Sequence, residues 1–139
     1  MNGYDFDKYT SPPKRPTQNR IRCYHVSYRR NTAANCNLRK NPGLNLLKTS
    51  DIDTVLPAGK TFRIVLAKCG PNIRLAVDGK VFMQYTDGGE VNGGTYAGGR
   101  FGLRQVYDSE GRYDNFRMYG LEAGNSAAAF KGDLDTGGR

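Results

Sequence analysis

The run from Lys60 to Asp87, KTFRIVLAKCGPNIRLAVDGKVFMQYTD, constrains the fold of this chain more than any other stretch. It holds three apolar-rich segments separated by two breaks. In the first, Phe62, Ile64 and Leu66 alternate with Arg63, Val65 and Ala67, and Cys69-Gly70-Pro71-Asn72 ends the pattern. In the second, Ile73, Leu75 and Val77 alternate with Arg74 and Ala76. Asp78-Gly79 follows, the pair best suited to a type I′ hairpin turn, whose two central residues both need positive φ. The third segment returns with Phe82 and Gln84 on one face and Val81, Met83 and Tyr85 on the other. Period-two alternation between such breaks predicts an antiparallel meander. Its apolar face must be covered by a second layer, which the rest of the chain has to supply.

A chain of 139 residues fits one domain, and 18 glycines with no tryptophan suit short strands and many turns better than helices. No apolar run of about 18 residues exists to span a membrane, so no membrane partner is expected. No charged-then-apolar leader is visible, which favours a cytoplasmic location unless the start of the chain is truncated. The three cysteines, Cys23, Cys36 and Cys69, form no C-x-x-C pair, and the chain has one histidine. Free thiols are therefore expected, with no metal site and no cofactor.

Charge is the second constraint. Of 21 basic residues, ten lie between Lys8 and Lys48, a window with no acidic residue; outside it eleven basic residues face thirteen acidic ones. The net charge of +8 is thus local. A confined positive field favours an anionic partner: nucleic acid, anionic lipid or acidic polysaccharide.

Along the chain, residues 1–19 carry three prolines and predict an irregular lead-in. RIRCYHVSYRR then predicts a strand with Tyr24, Val26 and Tyr28 toward the core and His25, Ser27 and Arg29 away from it. NCNLRKN predicts a second, with Cys36 and Leu38 inward and Asn37 and Arg39 on the other face. LNLLKTSDIDTVLPAG is read as room for a turn of helix, stopped by Pro57 and Gly59. After the meander comes a glycine-dense loop, GGEVNGGTYAGG. RFGLRQV and RYDNFRMYGL are read as two closing strands, the second with Phe116 and Met118 inward. The domain is placed at residues 20–121, followed by a loose tail from Glu122. About seven strands with frequent turns predict an all-β sandwich of the jelly-roll kind.

Three segments, YHVSYRRNTAANCNLRKNPG (24–43), AVDGKVFMQYTD (76–87) and GGRFGLRQVYDSEGRYDNFRMYGL (98–121), together resemble a bacterial family of unknown function typified by the YesU protein. That family belongs to the concanavalin A-like lectin/glucanase superfamily. The resemblance implies a curved two-sheet sandwich whose concave face binds carbohydrate, in a family associated with breakdown of acidic polysaccharides. Family members carry further strands ahead of the segment matching Tyr24. The chain therefore resembles the C-terminal two-thirds of the fold, and the exposed sheet edge this leaves would suit a homodimer.

A retaining glucanase needs two carboxylates roughly 5 Å apart on one strand face, and no such pair stands out in the strands. The best constellation is instead basic. His25, Ser27 and Arg29 share a face with Asn37 and Arg39 of the next strand; Arg104 joins from a later segment, and Gln105 is a weaker candidate of core-side parity. Arginine grips a carboxylate bidentately, so these residues are expected to bind the uronates of an acidic polysaccharide or oligosaccharide. A polysaccharide lyase is the alternative: arginine would neutralise the carboxylate and His25 would take the α-proton, with Tyr24, Tyr28 or Tyr85 as partner. A nucleic-acid-binding β-domain is a second alternative, disfavoured because the tyrosines that would stack on bases have core parity. Asp108-Ser109-Glu110-Gly111 and Asp87-Gly88-Gly89-Glu90 read as turns, with too few oxygens for calcium.

Overall fold

In a computed structural model of the chain, residues 21–28, 36–52, 56–104 and 111–121 are described; the lead-in and tail lie outside them. The protein is all-β. Among the described residues six strands, β1 (Tyr24–Ser27), β2 (Asn37–Lys40), β3 (Asn45–Thr49), β4 (Ile64–Cys69), β5 (Asn72–Val77) and β6 (Lys80–Thr86), form two antiparallel sheets ordered β1-β2-β3 and β4-β5-β6.

The meander forms as its turn chemistry dictates. Asp78 and Gly79 take φ of 48° and 78°, both positive, and close Val77 onto Lys80. The Asp78 carboxylate accepts from the Arg63 amide at 2.7 Å, pinning the lead-in to β4 against the turn. Gly70 at φ 53° and Pro71 make the other two-residue turn, between Cys69 and Asn72.

One register slip alters the expected faces of β6. Leu75 pairs with Met83 but Ala76 pairs with Val81, so Phe82 is an extra, bulged residue. The bulge turns two consecutive side chains, Phe82 and Met83, into the same core cluster, although simple alternation placed them on opposite faces. It also frees the Phe82 carbonyl, which accepts from the Ser50 hydroxyl at 2.8 Å and the Asp51 amide at 3.0 Å. Those two bonds seam the first sheet to the second along β3 and β6.

The core lies between the sheets. Cys36 and Leu38 point into it from the first, and Ile73, Leu75, Val77, Phe82 and Met83 from the second. Tyr24, Val26 and Tyr28 pack against it, as the parity of β1 requires. Each fully buried aliphatic side chain contributes roughly 1.5–3 kcal/mol. By register Ile64 and Leu66 share the core side with Val77 and Leu75, yet they are 37% and 41% exposed. Cover by the first sheet ends before β4.

Two expectations need correction. Asn45–Thr49 is a strand, not a turn of helix: the tight turn Asn41–Leu44 folds it straight back onto β2, whose open edge supplies its hydrogen bonds. Conversely, the described parts of RFGLRQV and RYDNFRMYGL are not strands, and Phe116 and Met118 point outward, 58% and 70% exposed. Alternation says which face a strand would bury, but a strand also needs a neighbour's ladder. These segments instead meet ring to ring, Phe101 on Phe116 at 5.2 Å. Leu121 packs on Ala67 and Cys69, on the side of β4 away from the core.

Candidate functional site

The first sheet carries charge on both sides, and strand alternation decides which side chain goes where. On β2, Leu38 and Lys40 share the core side with Tyr24 and Val26 of β1, which are their register partners. Arg39 and Asn37 take the outer side with their partners His25 and Ser27.

Lys40 is the residue the sequence reading missed. Its side chain is 0% exposed and its Nζ lies 2.7 Å from the Asp87 carboxylate, itself 1% exposed. Nζ also donates to the Gly94 carbonyl at 2.6 Å and stands 4.8 Å from the centre of the Tyr96 ring. The Tyr24 hydroxyl donates to the same Asp87 oxygen, and the Gly89 amide donates to the other at 3.0 Å. Burial alone would raise the Asp87 pKa; the Lys40 ammonium and the Tyr24 and Gly89 bonds outweigh it and hold the group below its ordinary 3.8. Burial, and then the bond to Asp87, pushes the Tyr24 hydroxyl up to about 12.

This knot fastens the glycine-rich loop onto the first sheet. Tyr96 donates its hydroxyl to the Asn41 carbonyl at 2.6 Å, and Asn92 donates to the Pro42 carbonyl at 2.7 Å. The role is structural, since every polar group in it is directed at the chain itself. One signal in the sequence pointed to it: Lys40 continues the inward parity of Cys36 and Leu38.

The outer side is the candidate site. His25 stands opposite Arg39, which stands opposite Leu46 of β3; Ser27 stands opposite Asn37, which stands opposite Thr49. Two parallel rows result, one cationic with an apolar end and one uncharged. Leu46 and Thr49 belong to the strand read as helix, so sequence analysis did not include them. Arg39 donates from Nη1 to the Leu44 carbonyl at 2.9 Å, which fixes its guanidinium toward the β2–β3 turn. Ser27 donates to the Asn37 carbonyl at 3.4 Å, and Thr49 donates to Asn37 Oδ1 at 3.0 Å.

Burial lowers the His25 pKa below 6.5, and the positive charges of Arg104 and then Arg39 lower it further. Burial and both positive charges thus favour the uncharged imidazole. The register thus brings His25 and Arg39 together, with Ser27 and Asn37 in the adjoining row, and the charge of Arg104 is felt at His25. Arg29 and Gln105 lie outside the described residues. Tyr24 and Tyr28, considered above as proton-transfer partners of His25, stand on the opposite side of the sheet, Tyr24 committed to Asp87. They cannot serve that role. Among the described residues no cluster of three His, Cys, Asp or Glu side chains could hold a metal ion.

What the described residues define is an all-β protein of two antiparallel sheets, with His25 and Arg39 paired on the outer side of the first. The chain matches, over residues 8–118, the model of a family described as a domain of unknown function (DUF1961), and it belongs to that family. No curated protein and no solved structure gives a significant match.

Proposed function

We propose that the outer side of the first sheet binds an acidic carbohydrate, its uronate carboxylate held by Arg39 and Arg104 beside His25. On this reading the sandwich is of the concanavalin A-like kind. The observation that carries the proposal is the register of β1 and β2, which sets His25 opposite Arg39 on the outer side of the sheet. Guanidinium is the side chain best matched to a carboxylate, because its planar fork donates two parallel hydrogen bonds. A neutral imidazole adds a directional bond to a neighbouring hydroxyl. Ser27, Asn37 and Thr49 extend the surface with groups suited to sugar hydroxyls.

The test is binding of uronate oligosaccharides by calorimetry to the wild type, Arg39→Ala and Arg104→Ala. Each substitution is expected to weaken binding at least about tenfold, as loss of a charge-assisted bond should. Neutral oligosaccharides should not bind. Single-stranded DNA held to higher salt than the uronates would instead favour the nucleic-acid reading.

A lyase is the second reading, favoured by the same neutral imidazole: a base beside a neutralised carboxylate is what removal of the proton α to it requires. Ultraviolet absorbance of an unsaturated uronate product, lost in His25→Gln, separates turnover from binding.

A further inference from the structure

β4 is an edge strand of the second sheet, and its outer side is equipped for pairing. We propose that a second copy of this chain pairs with it, β4 against β4, in a two-fold symmetric dimer centred on Leu66. The sequence raised a homodimer through an edge ahead of Tyr24; the edge inferred here is a different one and does not depend on the carbohydrate reading.

In an antiparallel pair, alternate residues exchange both backbone bonds with the partner strand, and the residues between them point the other way. The two-residue turn Gly70-Pro71 makes Cys69 and Asn72 a bonded pair, so Ala67 and Val65 bond β5 as well. The Asp78 amide, donating to the Arg63 carbonyl at 2.8 Å, continues the series. The amides and carbonyls of Ile64, Leu66 and Lys68 therefore face out of the sheet, and among the described residues no strand pairs there. The side chains of the same three residues lie on the core side, where the first sheet's cover has ended, with Ile64 37% and Leu66 41% exposed. One strand thus offers hydrogen-bonding groups and apolar surface together.

Sheet edges are normally protected by brevity, bulges or charge. Among the described residues, β1 has only four residues, and β3 meets its neighbour through a register shift. β6 is bulged at Phe82, whose carbonyl is taken by Ser50 and Asp51. β4 has six residues in unbroken register with β5. Its run Ile64–Ala67 carries no charge. The charge of Lys68 is drawn to the end of the strand, where Nζ donates to the Gly70 carbonyl at 2.9 Å and stands 5.4 Å from the centre of the Tyr24 ring.

Symmetry selects the occupant. A two-fold axis normal to the sheet keeps the core sides of both copies on one side and sets outward-facing residues opposite one another, as a closed dimer requires. Centred on Leu66, it pairs Leu66 with its copy and Ile64 with Lys68, so each outward amide and carbonyl meets its complement. Leu66 packs on Leu66, and Ile64 packs along the aliphatic stem of Lys68, with the two ammonium groups at opposite ends of the pair. A single strand pair is a small interface, below the roughly 1,200 Å² at which stable complexes begin, so the dimer is weak, with a dissociation constant of about 10 µM to 1 mM.

Sedimentation velocity of the full chain from about 10 µM to 1 mM should show monomer giving way to dimer. Over the same range, amide exchange followed by NMR should slow severalfold at Ile64, Leu66 and Lys68 and stay constant at Val65 and Ala67. Leu66→Lys sets two ammonium groups face to face on the axis and is expected to abolish the dimer. A cysteine pair keeps the test independent of how that variant folds. In the dimer, residue 66 faces its copy at about 5.5 Å between Cα atoms, within disulfide reach, whereas residue 64 lies about 14 Å from its copy. Under mild oxidation Leu66→Cys should therefore cross-link, and Ile64→Cys should do so no more than the wild type with its three native cysteines. A chain that stays monomeric throughout the range overturns the inference. So does a dimer that leaves exchange at Leu66 unchanged, or one in which Ile64→Cys cross-links as readily as Leu66→Cys.

Discussion

Arg39 and Lys40 are consecutive cations on one short strand, and the chain treats them in opposite ways. Lys40 goes inward, is 0% exposed, and meets a carboxylate that the chain itself delivers from 47 residues away. Arg39 goes outward, bonds a backbone carbonyl of its own turn, and stands opposite a histidine rather than an acid. The difference follows from the cost of desolvation. An ammonium buried against the rings of Tyr24 and Tyr96 is tolerated only with its anion in place, so Lys40 and Asp87 act as one structural unit. The Arg39 guanidinium lies at the outer side, only partly buried, and bonds a neutral carbonyl. On the proposed function, the ligand brings a negative charge to that side.

Breaking the inner cluster should have the larger effect. Lys40→Met leaves the Asp87 carboxylate buried without its cation and should cost about 3–5 kcal/mol in urea denaturation. That is a large share of the roughly 5–15 kcal/mol stability of a typical domain. Pairing it with Asp87→Leu removes both charges and should recover most of the loss; failure to recover would mean the carboxylate is needed for its bonds to Tyr24 and Gly89. Tyr24→Phe, which deletes one donor to the carboxylate, should cost about 1.5–3 kcal/mol in the same assay. Arg39→Ala should change stability by no more than about 0.5 kcal/mol while weakening uronate binding. A stability loss at Arg39 as large as that at Tyr24 would erase the contrast between the two sides.

Acid and base separate the two clusters further. The Asp87 carboxyl lies below its ordinary 3.8 in the folded protein, so as pH falls through that region the unfolded chain takes up the proton first and stability is lost. His25, below 6.5 when folded, has the same sign, and its loss begins as pH drops below 6.5. Tyr24, pushed up to about 12, has the opposite sign: above pH 10 the unfolded chain loses the proton first and stability falls. Urea midpoints measured against pH should therefore decline at both ends. Asp87→Asn should remove the lowest step and His25→Gln the step just below neutrality. The smallest effect is the sharpest in location: Arg104→Ala should move the His25 midpoint upward toward 6.5, followed by proton NMR.

How much of this was legible in the sequence depends on whether a feature is local. The Asp78-Gly79 turn, the meander, and the faces of β1 and β2 at Tyr24, Val26, Cys36 and Leu38 are written in period-two patterns a few residues long. So is the grouping of His25 with Arg39, which antiparallel pairing then aligns. The Lys40–Asp87 pair was not legible, because no short-range pattern ties a lysine to an aspartate beyond one strand and a meander. The same parity that placed Leu38 inward did place Lys40 inward, but a charge at that position reads as exposed until its partner is known. Leu46-Leu47 read as helical because a bulge in the β2–β3 register, like the one at Phe82, breaks the alternation that marks a strand. Phe101, Leu103, Phe116 and Met118 failed the other way. Their spacing suits strands, but pairing is a property of two segments, and the described fold gives them no ladder.

Because the chain has a single histidine, His25 reports on the outer site without competing signals. The most direct test is therefore the pH titration of its imidazole resonances with and without a saturating uronate tetrasaccharide. A carboxylate seated between Arg39 and Arg104 should raise the His25 midpoint, by supplying negative charge beside it, and the rise should vanish in Arg39→Ala. A titration curve identical with and without every uronate tested would contradict the account.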